Sequence, residues 1–503
     1  MIDPNETTVT VCIGAMQMHK LAAHGGICLD FRLCIGNRLV SWIDTLLRAE
    51  VDAQTEFIAG KLPTRKDMSS KREWLARTAA AILLIVSVAA AACVAILMPY
   101  FLANWSANIP LLAFVSILSC FLVVWAGARV CSRLWGGGSG ARFATQAAGV
   151  LTLVFAVSLY WLILKPTADP GPPHPLENIR YWQLPTGSRI AYREIDPLEG
   201  TSVQSHPVIY LHGGAGAREG HFDQSIYGSL ASDGFRVFLY DQAGSGMSDF
   251  LKVRDYTIDR AVDDLEAIRK EIGAEQMILV GHSWGSRLAV KYMSKHPGHV
   301  AKVILHSPAS IWRYTPTVYD YRRSDVGDQP FPKLRILAAL LLVDRNPDAA
   351  ENLVSQREAQ GLLIPIIDWQ MHGTVCKGDS DRLPQDFRDF MVAHDNPGLS
   401  PYVLEHLGLE PQSPDRDPHE ALRKDSTPAI LLYSQCDFID WSGALDYRRT
   451  LPNLKVYYIP HAGHYIQFEQ PELMTRVIRS FLLDQPDAIP PYTSDADPRP
   501  SAN

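Results

Sequence analysis

The chain has 503 residues, of which 47% are hydrophobic and 20% charged, and this composition is typical of folded globular protein rather than of a disordered chain. Its formal net charge is -7 and no long basic stretch offsets it, which argues against a nucleic-acid partner. The eight cysteines form no C-x-x-C pair and no Cys/His ligand spacing, so neither a structural zinc site nor a disulfide framework is expected.

Residues 1–67 have mixed polarity and contain no motif that assigns a role. We expect a cytosolic segment here. The alternative is an over-extended reading frame, because Met68-Ser-Ser-Lys-Arg would itself be a normal start immediately before a membrane segment.

A membrane region is predicted for residues 68–165. No charged residue occurs between Thr78 and Ala128, which a soluble arrangement of helices and loops of that length would not normally show. Three uncharged runs each reach the roughly 20 residues that span a hydrocarbon core of ~30 Å. They lie at about 78–98, 109–128 and 143–164. The first has the basic flank of a signal peptide, but its apolar core is longer than about 15 residues, which favours a retained anchor.

The Lys and Arg residues around these runs predict the orientation, because positive residues are retained on the cytoplasmic side. Five of them lie within residues 65–77, none lies between the first two runs, and three lie between the second and third. This distribution predicts a multi-pass protein with a cytoplasmic N-terminus and an extracytoplasmic C-terminal domain. Residues 166–178 are rich in proline and predict a stiff linker that lifts this domain off the membrane.

From residue 179 to about 485, short apolar runs of strand type alternate with helical patterns. This alternation predicts an α/β fold with a mostly parallel sheet and helices on both faces. The stretch of about 309–418 has helical patterns and no clear strand, so we expect a helical cap over one end of the sheet. The acidic, proline-rich residues 486–503 are predicted to form a disordered tail.

A candidate nucleophile lies at the centre of this domain. Residues 281–286 read G-H-S-W-G-S and stand between a buried-type strand at 277–280 and a helical pattern that begins near Arg287. A G-x-S-x-G sequence between a strand and a helix is the nucleophile elbow, in which small glycines permit a tight turn and leave Ser283 exposed at its apex. The alternative is an ordinary glycine-rich turn.

A serine nucleophile needs a base and a group that orients the base, here in the order Ser, acid, His. The strand at 429–433 is followed by Asp437, and the last strand, at 455–459, is followed by His464. We therefore assign Asp437 as the orienting acid and His464 as the base. Asp440 and His461 are the alternatives, with a helix N-cap and a surface histidine as their ordinary roles.

Upstream, the run from His212 to Gly216 follows the strand at 208–211. A backbone N–H here, at Gly214, would form the oxyanion hole together with the N–H of Trp284. His212 itself is expected to brace the loop. The run lacks both the G-K-[ST] ending and the G-x-G-x-x-G pattern of a phosphate-binding loop.

Residues 179–485 resemble the α/β-hydrolase superfamily and, within it, the proline iminopeptidase-like serine peptidases. The resemblance lies in four motifs: H-G-G at 212–214, D-Q-A-G-S-G-M-S at 241–248, G-H-S-W-G-S at 281–286, and A-G-H at 462–464 followed by Glu469 and Pro471. Two positions depart from the branch: Ala215 stands where proline is usual, and Ala243 where arginine is common.

The resemblance and the residues together predict a membrane-anchored serine hydrolase that works by Ser-His-Asp acyl transfer, with no metal or organic cofactor. Its expected partners are a short peptide or small-molecule substrate and the lipid bilayer. The preferred activity is that of a proline iminopeptidase-type aminopeptidase. The alternatives are a carboxylesterase or lipase-like ester hydrolase and a non-catalytic receptor with the hydrolase fold. The oligomeric state is not determined by the sequence.

The resembling peptidases bind the substrate amine with cap glutamates, one commonly preceded by tryptophan. The best local match here, Asp368-Trp369-Gln370, has an amide at that position. Asp368, Glu351 and Glu358 remain as unranked substitutes. A disulfide between Cys376 in the cap and Cys436 beside Asp437 is left open, since the predicted compartment can be oxidising.

Overall fold

The computed structural model describes residues 65–134, 140–172, 177–214, 216–219, 221–312, 333–362, 374–376, 398–408 and 417–499. The chain divides into two compact units. The first contains the apolar helices up to Met98 and from Phe114 to Ala156, and the second contains Pro99–Ala113 and everything from Val157 onward.

Three helices form the N-terminal part of the described chain. They are α1 (Arg65–Leu102), α2 (Ile109–Leu134) and α3 (Gly140–Leu159), and α3 continues as a π-helical turn at Tyr160–Leu164. Each is long and apolar enough to cross a membrane, over Trp74–Leu102, Ile109–Leu134 and Ala144–Leu164. The helices extend beyond the predicted runs because charged residues are accommodated at helix ends.

Within the first unit, small residues let α1 and α2 approach closely. A Cβ atom at Gly127 would lie 2.0 Å from Ser87 Oγ. Ser116 Oγ donates a hydrogen bond to the carbonyl of Ala95 at 2.5 Å. Close approach at small residues and hydrogen bonds between helices are the usual means of association in an apolar environment.

The second unit contains a sheet in which the described residues form eight strands. They are β1 (Arg180–Gln183), β2 (Arg189–Ile195), β3 (Val208–Leu211), β4 (Val237–Tyr240), β5 (Met277–His282), β6 (Val300–His306), β7 (Ala429–Ser434) and β8 (Leu454–Ile459). Their order is β1-β2-β4-β3-β5-β6-β7-β8, with antiparallel pairing of β1 with β2 and of β2 with β4, and parallel pairing throughout the rest. The predicted α/β fold with a mostly parallel sheet is confirmed.

Helices cover both faces of the sheet. As a consequence, every residue of β3, β4, β5 and β7 is buried. The helices α5 (Ile258–Glu271), α6 (Trp284–Lys295) and α11 (Trp441–Thr450) pack on one face, and α4 (His221–Tyr227) and α13 (Pro471–Leu482) on the other. Helix α5 illustrates how the sequence forms these helices. The Thr257 side chain caps its first turn by accepting a hydrogen bond from Arg260 N. Its apolar residues at helical spacing, Val262, Leu265 and Ile268, are fully buried. The short α12 (Ile466–Glu469) follows β8.

The cap lies between β6 and β7. Its described helices are α7 (Leu334–Val343), α8 (Pro347–Leu353), residues 356–362, α9 (Pro401–Gly408) and α10 (His419–Leu422). Of these, α7, α8, residues 356–362 and α9 contribute to a small separate core around Ile336, Ala339 and Tyr402, whereas Leu422 of α10 belongs to the core of the sheet. The described residues between β6 and β7 contain these helices and no strand.

Two expectations about connecting segments are corrected. Residues 486–499 are not a disordered tail: Tyr492 N donates to the carbonyl of Val456 at 2.7 Å, and Trp441 Nε1 donates to that of Asp495 at 2.8 Å. Acidic residues of the tail form ion pairs with basic residues of the hydrolase domain. Asp487, for example, lies 2.8 Å from Lys455 Nζ. The prediction of disorder rested on the composition of the tail alone, and composition does not show which residues elsewhere in the chain the tail will contact. Residues 500–503 lie outside the described part.

The linker after α3 is the second correction. Both the backbone N–H and the hydroxyl of Thr167 donate to Glu358 Oε1, at 2.6 and 2.8 Å. A Cβ atom at Gly361 would lie 3.3 Å from Pro170 Cγ. The described start of the linker is therefore packed on the cap and does not act as a spacer that lifts the domain away.

Candidate active site

Ser283 stands at a sharp turn between β5 and α6, with φ 52° and ψ -116°. A residue with a side chain rarely adopts a positive φ, and such strain is concentrated at functional sites. The flanking glycines make the turn sterically feasible. A Cβ atom at Gly281 would lie 2.6 Å from Ser286 Cα, and one at Gly285 would lie 2.0 Å from the carbonyl oxygen of Leu211. The G-x-S-x-G spacing is thus explained by backbone packing.

The predicted acid and base are brought together. His464 Nδ1 and Asp437 Oδ1 are 2.9 Å apart, and both side chains are buried. Burial alone would raise the pKa of Asp437, but the charge of His464 and hydrogen bonds to the carboxylate, including one from Ile439 N at 3.0 Å, lower it instead. Because an ionised carboxylate only accepts, Nδ1 carries the proton when the His464 ring is neutral, and Nε2 then has the free lone pair that a base needs.

The alternatives to these two residues have the ordinary roles considered for them. Asp440 caps α11, and its carboxylate accepts a hydrogen bond from Ser442 N at 2.9 Å. His461 is exposed, and its backbone N–H donates to Gln435 Oε1 at 2.9 Å. The geometry therefore favours Asp437 and His464 over them.

Both segments of the predicted oxyanion hole lie next to Ser283. A Cβ atom at Gly213 would lie 3.0 Å from Ser283 Cβ, so the loop after β3 contacts the elbow. Gly214 has φ +63°, a left-handed conformation that favours glycine. Trp284 is the first residue of α6, where backbone N–H groups have no acceptor within the helix. That the N–H groups of Gly214 and Trp284 bind an oxyanion stays a prediction.

The family profile described as the alpha/beta hydrolase fold matches residues 206–471, more than half of the chain. The chain belongs to this family. Its resemblance to the α/β-hydrolase superfamily is thereby confirmed, and proline iminopeptidases recur among the relatives it matches.

Three similar proteins illustrate the range of sequence identity and coverage. A proline iminopeptidase of Heyndrickxia coagulans is 37% identical over 133 residues, which are 25% of this chain and 43% of that protein. A proline iminopeptidase of Xylella fastidiosa is 25% identical over 271 residues, 51% of this chain and 83% of that protein. The solved structure of a thermophilic esterase from Thermogutta terrifontis matches 61% of this chain and 98% of its own, with 21% identity and a TM-score of 0.44. The chain spans less than half the length of the first of these relatives.

In this α/β hydrolase, the D-Q-A-G-S-G-M-S motif braces the loop after β3. His212 Nε2 accepts from Gln242 N at 2.9 Å, and Gln242 Nε2 donates to the carbonyl of His212 at 3.0 Å. Burial lowers the pKa of His212 to about 4, so the ring is neutral and can accept. Asp241 accepts from the backbone N–H of Met247 at 2.8 Å and closes the motif into a turn. His212 is thus a brace, as the sequence predicts.

A row of buried aromatic side chains lies behind the turn at Ser283 and was not predicted from the sequence. The rings of His282 and His306 stack with centroids 4.6 Å apart, and His306 Nε2 is 2.8 Å from the hydroxyl of Tyr227. His282 Nε2 is 3.1 Å from the carbonyl oxygen of His464. Burial lowers the pKa of His282 to about 3, so this row is uncharged. The available signal was a histidine at the end of each of two adjacent strands, β5 and β6.

The loop that carries His464 is held by the cap. His464 N donates to the carbonyl of Thr374 at 2.7 Å, and a Cβ atom at Gly463 would lie 2.1 Å from the same oxygen. A disulfide joins Cys376 to Cys436, with Cα atoms 5.2 Å apart. The pairing that the sequence left open is therefore formed, and it links the cap to the residue preceding Asp437.

The acidic side chains considered for amine binding are largely engaged. Glu358 forms an ion pair with Arg335 at 2.7 Å, and both are buried. Glu351 Oε1 accepts from Gln356 Nε2 at 2.9 Å. Asp368, with its neighbours Trp369 and Gln370, lies outside the described residues.

Within the described residues, one group has metal-ligand geometry: Glu266, His296 and His299. The Glu266 carboxylate already accepts from Arg269 at 2.8 Å and from the hydroxyl of Tyr292 at 2.7 Å. A cation would have to compete with the guanidinium for the same oxygens, so this group fits an ion-pair network better than a metal centre.

Proposed function

We propose that this protein is a membrane-anchored serine hydrolase with Ser283 as the nucleophile. The observation that carries the proposal is the strained Ser283 backbone at the end of β5, combined with the buried hydrogen bond between His464 and Asp437. Each of the three residues follows the carboxyl end of a parallel strand, which is where this fold family carries its chemistry.

In the proposed reaction, Ser283 Oγ attacks the substrate carbonyl and His464 Nε2 takes the hydroxyl proton. The negative oxygen of the tetrahedral intermediate is bound by the backbone N–H groups of Gly214 and Trp284, each contributing about 3 kcal/mol in the transition state. His464 then gives the proton to the leaving group. A water molecule, activated by His464 in the same way, releases the acyl group from Ser283. Asp437 keeps the imidazole in the required tautomer throughout.

For the substrate, we propose short peptides with a free N-terminus, and an aminopeptidase of the proline iminopeptidase type. The similarity to proline iminopeptidases supports this, including one matched over 83% of its length. The brace formed by Asp241 and Gln242 is part of the same resemblance.

An ester hydrolase is the second candidate, and a specific observation favours it. An aminopeptidase needs a carboxylate that is available to a protonated amine. Of the two candidates among the described residues, Glu358 is paired with Arg335 and Glu351 accepts a hydrogen bond from Gln356, while Asp368 lies outside the described part. An ester substrate requires no such charge.

Labelling with a fluorophosphonate probe tests the serine chemistry. The wild-type protein should be labelled and Ser283→Ala should not, whereas Ser442→Ala, a serine in α11, should be labelled like the wild type. An unlabelled wild-type protein would support a non-catalytic receptor with the hydrolase fold.

The substrate class is tested separately on wild-type enzyme that has not been exposed to the probe. Proline and alanine arylamides are compared with short-chain aryl esters, and N-acetylated arylamides serve as the control. The peptidase proposal expects turnover of the free-amine arylamides and its loss on acetylation. Turnover of the esters alone, or indifference to acetylation, would identify an ester hydrolase.

A further inference from the structure

The cap helix α7 is fastened at its beginning to the end of the third apolar helix. Arg335 Nη1 donates to the carbonyls of Ile163 and Leu164, at 2.5 and 3.1 Å. Glu358 holds the same guanidinium through two contacts of 2.7 and 2.8 Å. Arg335 therefore serves as a buried cap for carbonyl groups that the end of a helix leaves without an intrahelical donor.

The other end of α7 is fastened to the turn between the first two apolar helices. Arg345 Nε donates to the hydroxyl of Tyr100 at 2.6 Å, and its guanidinium lies 4.7 Å from the centre of that ring. Asn346 Nδ2 donates to the carbonyl of Ala103 at 2.7 Å. Asn352, in α8, adds a hydrogen bond to the carbonyl of Ala107 at 3.1 Å.

These two attachment points belong to the same side of a membrane crossed three times. The turn between the first and second spans and the end of the third span must emerge on one face, because successive spans cross in opposite directions. A helix of 10 residues is about 15 Å long. With both ends tied to segments of one membrane face, α7 has to run along that face. All of these contacts lie inside the second compact unit.

The outward side of α7 is apolar. Leu334 is 43% exposed and Leu341, seven residues later on the same side, is 49% exposed. Ile336, Ala339 and Val343 are buried on the opposite side. No charged residue occurs between Arg335 and Asp344. Exposure of such a surface to water is unfavourable in proportion to its apolar area.

A cavity of about 550 Å³ adjoins α7 where the cap meets the ends of the apolar helices. Ile109, Ala113, Tyr160 and Leu164 contribute to its walls, together with the Arg335–Glu358 pair.

We propose that the outward side of α7 is immersed in the lipids of the membrane face from which the hydrolase domain emerges. The occupant of this surface is the bilayer itself. The inference rests on the membrane anchoring proposed above and goes beyond it: the cap is seated in the lipid surface, and the domain is not merely tethered beside it. An apolar helix lying in the interface is bound by the apolar area that it removes from water.

Photocrosslinking of the full chain in phosphatidylcholine nanodiscs tests the inference. p-Benzoylphenylalanine replaces Leu341, or Leu334 where the first variant does not fold. Val203, an apolar side chain 73% exposed in the loop before β3, is the matched control, and Phe114, 60% exposed in α2, is the control for the spans. Lipid adducts are measured by mass spectrometry.

The expected result is lipid adduct at 341 and 114 and loss of the signal to background at 203. Adduct at 114 without adduct at 341, an equal yield at 341 and 203, or crosslinking of 341 to a second copy of the chain would overturn the seating of α7. An absence of adduct at 114 would instead overturn the membrane spans, and the inference with them.

Discussion

At the scale of single residues, the position proposed for the nucleophile carries a structural cost. The positive φ of Ser283 is a conformation worth about 1–3 kcal/mol of strain, and it is held by hydrogen bonds from Ser283 N to the carbonyl of His306 and from Ala309 N to the carbonyl of Ser283, both 3.0 Å. The site keeps a side chain where glycine would fit with less strain. Backbone strain of this kind is concentrated at functional sites.

This strain leads to a stability prediction. Ser283→Gly should raise the free energy of unfolding by up to about 1 kcal/mol relative to Ser283→Ala, because glycine adopts positive φ at little cost. Both variants should be inactive. Urea unfolding of the two variants side by side measures the difference, and an alanine variant at least as stable as the glycine variant would contradict the strain.

The choice of base is tested by a matched pair of histidines three residues apart. His464→Ala should lower kcat by on the order of 10⁴ to 10⁶, because members of a triad act as a unit. His461→Ala should leave kcat nearly unchanged, since His461 is exposed, whereas the hydrogen bond to Asp437 is made by His464. The reverse outcome would transfer the role of base to His461.

A pH-dependent contribution to stability is expected from His419. Partial burial would lower its pKa, but the hydrogen bonds and charges of Asp446, 2.9 Å away, and of Asp417 raise it above the ordinary value of 6.5. The folded state therefore binds this proton more tightly than the unfolded state does. The stabilisation is complete below pH 6.5 and is lost as the pH rises through the raised pKa of the folded state.

His419→Gln should accordingly lower the free energy of unfolding by about 0.5–1 kcal/mol at pH 5.5 and by much less at pH 9. Denaturant unfolding at the two pH values measures this. The same loss at both would mean that His419 stabilises the protein by packing and not by charge.

At the scale of elements, the disulfide between the cap and the loop after β7 joins segments that the catalytic proposal depends on. It closes a loop over a sequence separation of 60 residues. The segment containing Cys376 also supplies the Thr374 carbonyl that holds the backbone of His464. Loss of the bond should therefore affect both stability and the position of the base.

The double variant Cys376→Ser with Cys436→Ser should lose up to about 4 kcal/mol of stability, by the loop-entropy relation. Its kcat should fall as well. A reductant should lower the Tm of the wild type and leave that of the double variant unchanged. Cys93→Ser, which removes an exposed free thiol of α1, is the control. A wild-type Tm that does not respond to reductant would argue against the bond.

At the scale of the whole molecule, the topology can be tested directly. Lys and Arg counts predict that the N-terminus is cytoplasmic and the hydrolase domain extracytoplasmic. Protease added outside intact cells or spheroplasts should reach a C-terminal tag, and a tag placed before Arg65 should stay protected. Protection of the C-terminal tag would invert the predicted orientation.

The sequence by itself determined the type and order of the elements in this protein. Apolar runs without charge predict the long helices, alternating runs predict the parallel sheet, and G-x-S-x-G at a strand end predicts the turn at Ser283. These are local properties, because the period of the hydrophobic pattern and the steric demands of a tight turn involve residues close in the chain.

Only the tertiary structure decided which distant groups meet. The pairing of His464 with Asp437 instead of Asp440, the bond between Cys376 and Cys436, and the packing of the C-terminal residues on the fold all depend on distances between separate loops. Arg335 caps carbonyls about 170 residues earlier in the chain, and Glu358 binds Thr167 across a separation of 191. No local pattern encodes such separations, because the position of each partner is set by how the whole sheet and cap are packed.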